Sequence, residues 1–92
     1  LLSALAPAAQ AATTLEVFVR EGCPHCAKAE EFLAQLKRER PELDIRIRDV
    51  QKEPAAMTRL QEIVREQGGG MARVPAIFVG GQLIIGYSEE VH

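Results

Sequence analysis

The sequence predicts one α/β domain with a four-stranded mixed sheet, helices on the sheet faces and the element order β-α-β-α-β-β-(α). Three observations carry this prediction. An apolar run directly precedes a Cys-x-x-Cys, two helical patterns each open with proline, and Gly80-Gly81 separates two short apolar runs. A helix between two strands requires a right-handed parallel crossover, whereas a two-residue turn makes an antiparallel pair. A chain of 92 residues holds one such domain, which we assign to residues 14–92.

The first half of the domain begins with a strand over Leu15–Val19, whose almost continuous apolar character is typical of a central strand. A helix is then predicted from Pro24 to about Arg40, because proline is favourable at the first helical position. Its apolar stripe contains Cys26, Ala29, Phe32, Leu33 and Leu36. After Pro41, the apolar residues Leu43, Ile45 and Ile47 alternate with the charged residues Asp44, Arg46 and Arg48. This alternation predicts a strand at the edge of the sheet.

The second half begins with a helix that opens at Pro54 and ends near Gly68. Its buried face is predicted to hold Met57, Leu60, Ile63 and Val64. Two strands, Val74–Val79 and Gln82–Ile85, flank the Gly80-Gly81 turn, whose positive φ angles glycine adopts without strain. Ser88, followed by Glu89 and Glu90, predicts the start of a third helix, which is truncated in this sequence.

Residues 1–13 precede the predicted domain and are alanine-rich and uncharged. Because Ala9-Gln10-Ala11 has the small-x-small form of a signal-peptidase site, we expect the remnant of a secretory signal and a periplasmic or otherwise extracytoplasmic location. The alternative is an ordinary N-terminal extension. No apolar run reaches the length of about 18 residues that spans a bilayer.

Composition and cysteine usage narrow the class of function. A net charge of −2 and an aromatic content of 4 % supply neither a basic surface nor a stacking platform, so nucleic-acid binding is not expected. The chain has two cysteines, Cys23 and Cys26. A bridge between them would close a very small loop and would remove little entropy from the unfolded chain. The pair is therefore predicted to be chemical rather than structural.

Cys23-Pro24-His25-Cys26 lies at the predicted start of the first helix, where the helix dipole favours negative charge. Cys23 is therefore the predicted nucleophile, and Cys26 on the buried stripe is the predicted resolving thiol. The imidazole of His25 should further favour the thiolate, which stabilises the reduced form and makes the disulfide more oxidising. The alternative for His25 is a solvated residue without such an effect.

Several motifs together resemble the glutaredoxin branch of the thioredoxin fold over about Leu15 to Glu90. They are Cys23-Pro24-His25-Cys26, Asp49 with Pro54, Val74-Pro75-Ala76-Ile77-Phe78-Val79, and Gly80-Gly81 followed by Ile85-Gly86-Tyr87-Ser88. The resemblance implies that Pro75 follows a cis peptide bond beside the active site. It also implies that the backbone of Val74 pairs with the substrate as an added strand.

The same resemblance implies further substrate-binding residues. Arg20 and Arg73 stand where the family usually has lysine and threonine, and Gly86, Tyr87 and Ser88 partly match its glutathione-binding segment. Glutathione is thus a candidate co-substrate, and no prosthetic cofactor is implied. His25 replaces the usual tyrosine or phenylalanine, so that Cys-Pro-His-Cys resembles the active site of the DsbA disulfide donors.

We therefore expect a thiol–disulfide oxidoreductase that acts on protein thiols and disulfides or on glutathione. One alternative is an extracytoplasmic electron-relay domain of a larger membrane disulfide-transfer protein, with a membrane redox partner. Another is a Cu(I)- or Zn(II)-binding module, which is disfavoured because a closed zinc site takes four ligands and the chain has two cysteines and two histidines without suitable spacing. No metal-ligating residues are assigned.

Overall fold

A computed structural model describes residues 13–86 of the chain and confirms the predicted order of the strands and of the first two helices. The elements are β1 (Thr14–Val19), α1 (Pro24–Glu39), β2 (Asp44–Asp49), α2 (Pro54–Glu66), β3 (Ala76–Val79) and β4 (Gln82–Ile85). The predicted third helix at Ser88 and residues 1–12 of the signal-like segment lie outside the described residues.

The four strands form one mixed sheet in the order β2-β1-β3-β4. β1 runs parallel to β2 and antiparallel to β3, and β3 runs antiparallel to β4. The sequence-based placement of the first strand in the centre and of the second at an edge is therefore confirmed. Gly80 and Gly81 form the turn between β3 and β4 with φ angles of 60° and 80°.

Each face of the sheet carries its own hydrophobic core, because side chains alternate along β1. The odd-numbered residues of β1 pack with α1 in a cluster that includes Leu15, Val17, Val19, Cys23, Cys26, Leu33 and Leu43. Phe18 points to the opposite face and packs with α2 in a cluster that includes Val50, Ala56, Leu60, Ile63, Val64 and Ala76. The redox cysteines thus belong to the core on the α1 face.

The third strand is shorter than predicted, and the second is only partly covered. β3 begins at Ala76 rather than at Val74, because Pro75 has no N–H to donate to a neighbouring strand. Ile47, one of the apolar residues that alternate with charged ones along β2, is 45 % exposed. α1 packs over β1 and reaches Ile45, but it leaves a groove of about 370 Å³ beside Ile47.

Neither of the two described helices is both long enough and apolar enough to cross a membrane.

Candidate active site

The active-site candidate is built at the junction of β1 and α1. The chain leaves β1 at Val19, and Gly22 adopts a φ of 81°, a conformation that side chains with a Cβ rarely adopt. Cys23 then takes the extended backbone of a helix N-cap, with φ −99° and ψ 112°, and Pro24 opens the helix. Residues between the strand and the helix therefore place the first thiol directly at the helix N-terminus.

Cys23 caps α1 with its own sulfur. Its Sγ accepts a hydrogen bond from the backbone N–H of Cys26 at 3.2 Å, which satisfies one of the amides that a helix start leaves without an intrahelical partner. Its carbonyl oxygen accepts the N–H of Ala27 at 3.0 Å. A thiolate at this position gains both a charge-assisted hydrogen bond and the favourable end of the helix dipole.

The pKa of the Cys23 thiol is lowered even though the residue is buried. Burial is the largest single influence and opposes ionisation, but it is outweighed by the sum of the other influences. These are a hydrogen bond from the Cys26 thiol, the backbone N–H of Cys26, the positive charge of Arg20 and the backbone N–H of His25. Cys23 is therefore the thiol that ionises first.

Cys26 lies one turn into α1, on the buried stripe, and is 1 % exposed. Burial is the main cause that raises the pKa of its thiol to about 11, and the hydrogen bond to Cys23 acts in the same direction. One thiol of the pair is thus favoured as the nucleophile, while the other keeps its proton until a mixed disulfide has formed. This asymmetry is what two-step disulfide exchange requires.

Arg20 and the backbone of His25 both act on the thiols. Arg20, predicted to hold a substrate carboxylate, is exposed in the loop before Cys23, and its charge lowers the pKa of both thiols. His25 is exposed at the start of the helix, and its backbone N–H acts on Cys23. The position of Arg20, three residues before the nucleophile, was the available sequence signal for its effect on the thiols. The role of the His25 imidazole stays a prediction.

The Val74–Pro75 peptide bond is cis, as predicted. Pro75 is fully buried, and Val74 packs against the core cluster that holds both cysteines. The carbonyl of Pro75 accepts the N–H of Gly86 at 2.7 Å, so Gly86 is brought to the same loop. Within the described part of the chain, no backbone hydrogen bond engages Val74.

The other predicted site residues are less closely tied to the thiols. Pro24 is exposed at the first position of α1, and Arg73 is exposed immediately before Val74. Tyr87 and Ser88 lie outside the described residues. Over residues 13–86, no group of three or more His, Cys, Asp or Glu side chains comes together as a metal site.

Asp49, at the end of a neighbouring strand, contacts the active-site loop, which the sequence analysis did not predict. Its carboxylate accepts the N–H groups of Gln51 at 2.8 Å and Lys52 at 2.9 Å. The hydrogen bond from Lys52 is the main cause that lowers the pKa of Asp49, and the backbone of Glu21 makes a smaller contribution in the same direction. Lys52 in turn pairs with the carboxylate of Glu21 at 3.5 Å. The loop that follows β2 thus lies next to the loop that carries the nucleophile.

Comparison with protein families and known proteins gives concordant results. The glutaredoxin family model matches residues 15–84. Glutaredoxin 1 of Escherichia coli is 33 % identical over 73 residues, which cover 79 % of this chain and 82 % of that protein. A glutaredoxin of Vibrio cholerae is 32 % identical over 73 residues, which cover 79 % of this chain and 80 % of its own.

Solved structures give the same result for the fold. The structure of reduced Escherichia coli glutaredoxin superposes with a TM-score of 0.63 at 32 % identity, over 80 % of this chain and 84 % of that one. A glutaredoxin of Archaeoglobus fulgidus superposes with a TM-score of 0.57 at 22 % identity, over 90 % of this chain and 83 % of that one. The second likeness concerns the fold alone.

Proposed function

This chain belongs to the glutaredoxin family and is a thiol–disulfide oxidoreductase, and from that premise we propose that it exchanges disulfides with extended segments of protein substrates and with glutathione. The observation that supports the proposal is that the pKa values of the two thiols are shifted in opposite directions. The pKa of Cys23 is lowered at the helix N-terminus, whereas burial raises the pKa of Cys26 to about 11.

The chemistry follows from this asymmetry. The Cys23 thiolate attacks one sulfur of a substrate disulfide, and the other substrate sulfur leaves as a thiolate that takes up a proton. Cys26 then loses its proton and attacks the Cys23 sulfur, which releases the second substrate thiol and leaves a Cys23–Cys26 disulfide. The reverse sequence oxidises a substrate dithiol. Two glutathione molecules supply the electrons that regenerate the reduced pair, and glutathione disulfide is the product.

Substrate binding is proposed at the Val74–Pro75 loop. Val74 offers backbone groups that can pair with an extended peptide, as in strand addition, and it packs with the cluster that holds Cys23. The exposed guanidinium groups of Arg20 and Arg73 suit the carboxylates of glutathione, since arginine binds carboxylates through two parallel hydrogen bonds. Gly86, tied to Pro75, and the following Tyr87 and Ser88 complete the proposed glutathione contacts.

Trapping the mixed disulfide tests this proposal. A Cys26→Ser variant incubated with glutathione disulfide should accumulate a glutathione adduct on Cys23, because the second attack is blocked. The same variant should form adducts with an oxidised protein substrate. A Cys23→Ser variant, which keeps a buried thiol at Cys26, is the matched control and should form neither adduct. Adducts only with protein substrates would remove glutathione from the proposal.

A second proposal concerns the location of the protein and the redox potential of its cysteine pair. The signal-like segment 1–13 supports an extracytoplasmic site of action, and His25 beside the nucleophile supports a more oxidising pair than a tyrosine would give. A domain of this kind could also relay electrons to a membrane redox partner. Fusing the complete N-terminal region of the native protein to a reporter that is active only outside the cytoplasm tests the location. A silent reporter on a stably expressed fusion would contradict it.

A further inference from the structure

We propose that a second copy of this chain docks antiparallel along the outer edge of β2, so that two four-stranded sheets join into one. The dimer would be symmetric, with its two-fold axis next to Ile45. Three observations carry the inference: the hydrogen-bonding groups on that edge, the self-complementary sequence of the strand, and an apolar groove beside it.

The outer edge of β2 carries backbone groups that can take a strand. β2 ends the sheet, and no other strand of residues 13–86 pairs on that side. Asp44 and Val50 donate their N–H groups toward β1. Because successive residues of a strand direct their N–H and C=O groups to opposite sides, Ile45 and Ile47 direct theirs outward. An added strand would find two pairs of such groups.

The sequence of this strand is complementary to itself. Residues 42–48, which comprise the two residues before β2 and the strand up to Arg48, are Glu-Leu-Asp-Ile-Arg-Ile-Arg. This segment is acidic before Ile45, basic after it, and apolar at every second position. Antiparallel pairing about Ile45 sets Asp44 opposite the second copy's Arg46, and Leu43 opposite its Ile47. It also sets Glu42 opposite Arg48. Every directly opposed pair is thus of opposite charge or apolar, and opposed residues lie on the same face.

The charges also select this register over its neighbours. If the second copy is moved by two residues in one direction along the strand, the Arg46 side chains of the two copies lie opposite each other. If it is moved by two residues in the other direction, the two Asp44 side chains lie opposite each other. Like charges directly opposed are destabilising. Asp44 and Arg46 now pair with each other at 3.0 Å while both are exposed to solvent. An exposed pair of this kind is worth little, so exchanging partners across the axis costs little.

The groove beside β2 gives the second copy an apolar surface to cover. It has a volume of about 370 Å³ and is lined by Glu30, Leu33, Ala34, Lys37, Ile45 and Ile47. Ile47 is 45 % exposed, so this apolar side chain of the edge strand is left partly in contact with water. The two-fold axis would bring the second copy's Leu43 against Ile47, and the isoleucines at position 45 against each other.

The α1 helices of the two copies would present opposite charges to each other. The Nζ of Lys37 donates to the carbonyl oxygens of Pro41 and Leu43, so it lies at the Leu43 end of the groove. Glu30 is two turns earlier in α1, toward the Ile47 end. Because the axis places Leu43 of one copy against Ile47 of the other, Lys37 approaches the second copy's Glu30. The complementarity of β2 is therefore repeated in α1.

The dimer would leave both active sites open. Cys23 follows the carboxyl end of β1, whereas Ile45 lies near the amino end of β2, and β1 and β2 are parallel. The two nucleophiles would thus lie near opposite ends of the joined sheet. Association and disulfide exchange are consequently separable, so a failure of this proposal is distinguishable from a failure of the proposed function.

A charge-reversal series tests the register. Sedimentation equilibrium of the wild-type chain should show a concentration-dependent dimer. The Arg46→Asp substitution places an acidic residue opposite Asp44 at both symmetric positions and should weaken association at least tenfold. The double variant Asp44→Arg/Arg46→Asp restores opposite charges across the axis and should regain the dimer. Arg65→Asp, the same charge change on exposed α2, is the matched control. Disulfide exchange should stay unchanged in all four proteins.

Hydrogen exchange supplies a second measurement on the wild-type chain. The amides of Ile45 and Ile47 should exchange more slowly as protein concentration rises, whereas the amide of Arg46, already directed to β1, should not change. A monomer at every concentration would overturn the proposal and would mean that the charges of β2 protect an edge from pairing. A dimer that survives Arg46→Asp, or a folded double variant that stays monomeric, would overturn it equally.

Discussion

The two helices of this protein begin with almost the same backbone, and one of them is an active site. α1 and α2 each follow a strand of the parallel pair β1 and β2, and each opens with proline. Their N-cap residues, Cys23 and Glu53, are both extended, and neither helix has an acidic residue in its first turn. At both N-termini, the positive end of the helix dipole is therefore not compensated by a carboxylate in the first turn.

The difference lies in the atom presented to the helix amides. The sulfur of Cys23 accepts the N–H of Cys26, whereas Glu53 makes no side-chain cap and its carboxylate turns to Arg48 at 3.4 Å. At α2, the nearby Asp49 bonds amides that precede the helix. A helix N-terminus thus acquires chemistry only when an ionisable group is held on it, out of water and at hydrogen-bond distance.

The surrounding arginines differ in the same way. On the α2 face, Arg59 donates to Glu16 at 2.8 Å, and this hydrogen bond lowers the pKa of Glu16. Arg48 also approaches Glu16, at 3.9 Å. In the described part of the chain no carboxylate pairs with Arg20, and its charge acts on the two sulfurs instead. A cation already paired with a carboxylate stabilises the fold, and one without a carboxylate can stabilise a thiolate.

Replacing the cap atom of α1 should have the largest effect. Cys23→Ser keeps a capping oxygen and should leave folding intact, but it should abolish disulfide exchange, because a hydroxyl is not a thiolate nucleophile near neutral pH. Turnover of a small disulfide substrate and circular dichroism measure the two properties. Residual exchange above the uncatalysed rate in this variant would mean that Cys26 can act as the nucleophile.

The second prediction concerns the reactivities of the two thiols. Because the pKa of Cys23 is lowered and that of Cys26 is raised to about 11, Cys23 should be alkylated first at neutral pH, and its rate should fall as the pH drops through its pKa. Mass spectrometry of the reduced protein after brief iodoacetamide treatment at several pH values measures this. Similar rates at both cysteines across the pH range would contradict the asymmetry.

Removing the charge of Arg20 should have an intermediate effect. Arg20→Gln should raise the pKa of Cys23 and slow its alkylation at neutral pH by roughly threefold at low salt, with a smaller change at high salt, where the Debye length shortens to about 3 Å at 1 M. Arg38→Gln, near the other end of α1, is the control and should behave like the wild type. If both variants alkylate alike, the Arg20 charge does not act on the thiol.

Replacing His25 should shift the potential in a defined direction. His25→Tyr removes an imidazole next to the nucleophile and should make the potential of the Cys23–Cys26 pair more negative, since the thiolate of the reduced form loses a stabilising group. In a two-electron couple 30 mV corresponds to about 1.4 kcal/mol, so one contact should shift the potential by tens of millivolts. Equilibration with glutathione buffers measures it, and an unchanged potential would assign the effect of His25 to its backbone alone.

The local sequence signals explain how much of this could be predicted. Hydrophobic periodicity, the prolines at positions 24 and 54 and the Gly80-Gly81 turn predicted the strand and helix order that the structure describes. The cis bond at Pro75 followed from a family resemblance. The proximity of Asp49 and Lys52 to Glu21 of the active-site loop could not be predicted, because it depends on distances between segments that only the folded backbone brings together. The position of Arg20, three residues before Cys23, was a local signal for its action on the thiols, but the sequence analysis used it only to assign a substrate carboxylate.

The smallest predicted effect returns to α2, which lacks a side-chain cap. Glu53→Asp keeps the charge but shortens the side chain to one that is strongly preferred at an N-cap. Its carboxylate can accept the N–H of Ala55, since the N–H of Ala56 already donates to the carbonyl of residue 53. A cap of this kind is worth about 1 kcal/mol, and loss of the exposed pair with Arg48 costs less than that, so the free energy of unfolding should rise by about 0.5 kcal/mol. Urea denaturation should show a higher midpoint with an unchanged slope.

The control is Glu53→Ala, which loses the pair with Arg48 without gaining the cap and should be slightly destabilised. Neither variant should change disulfide exchange. If Asp and Ala at this position were equally stable, the amides of α2 would already be satisfied, and the two helix starts would differ in more than the atom that caps them.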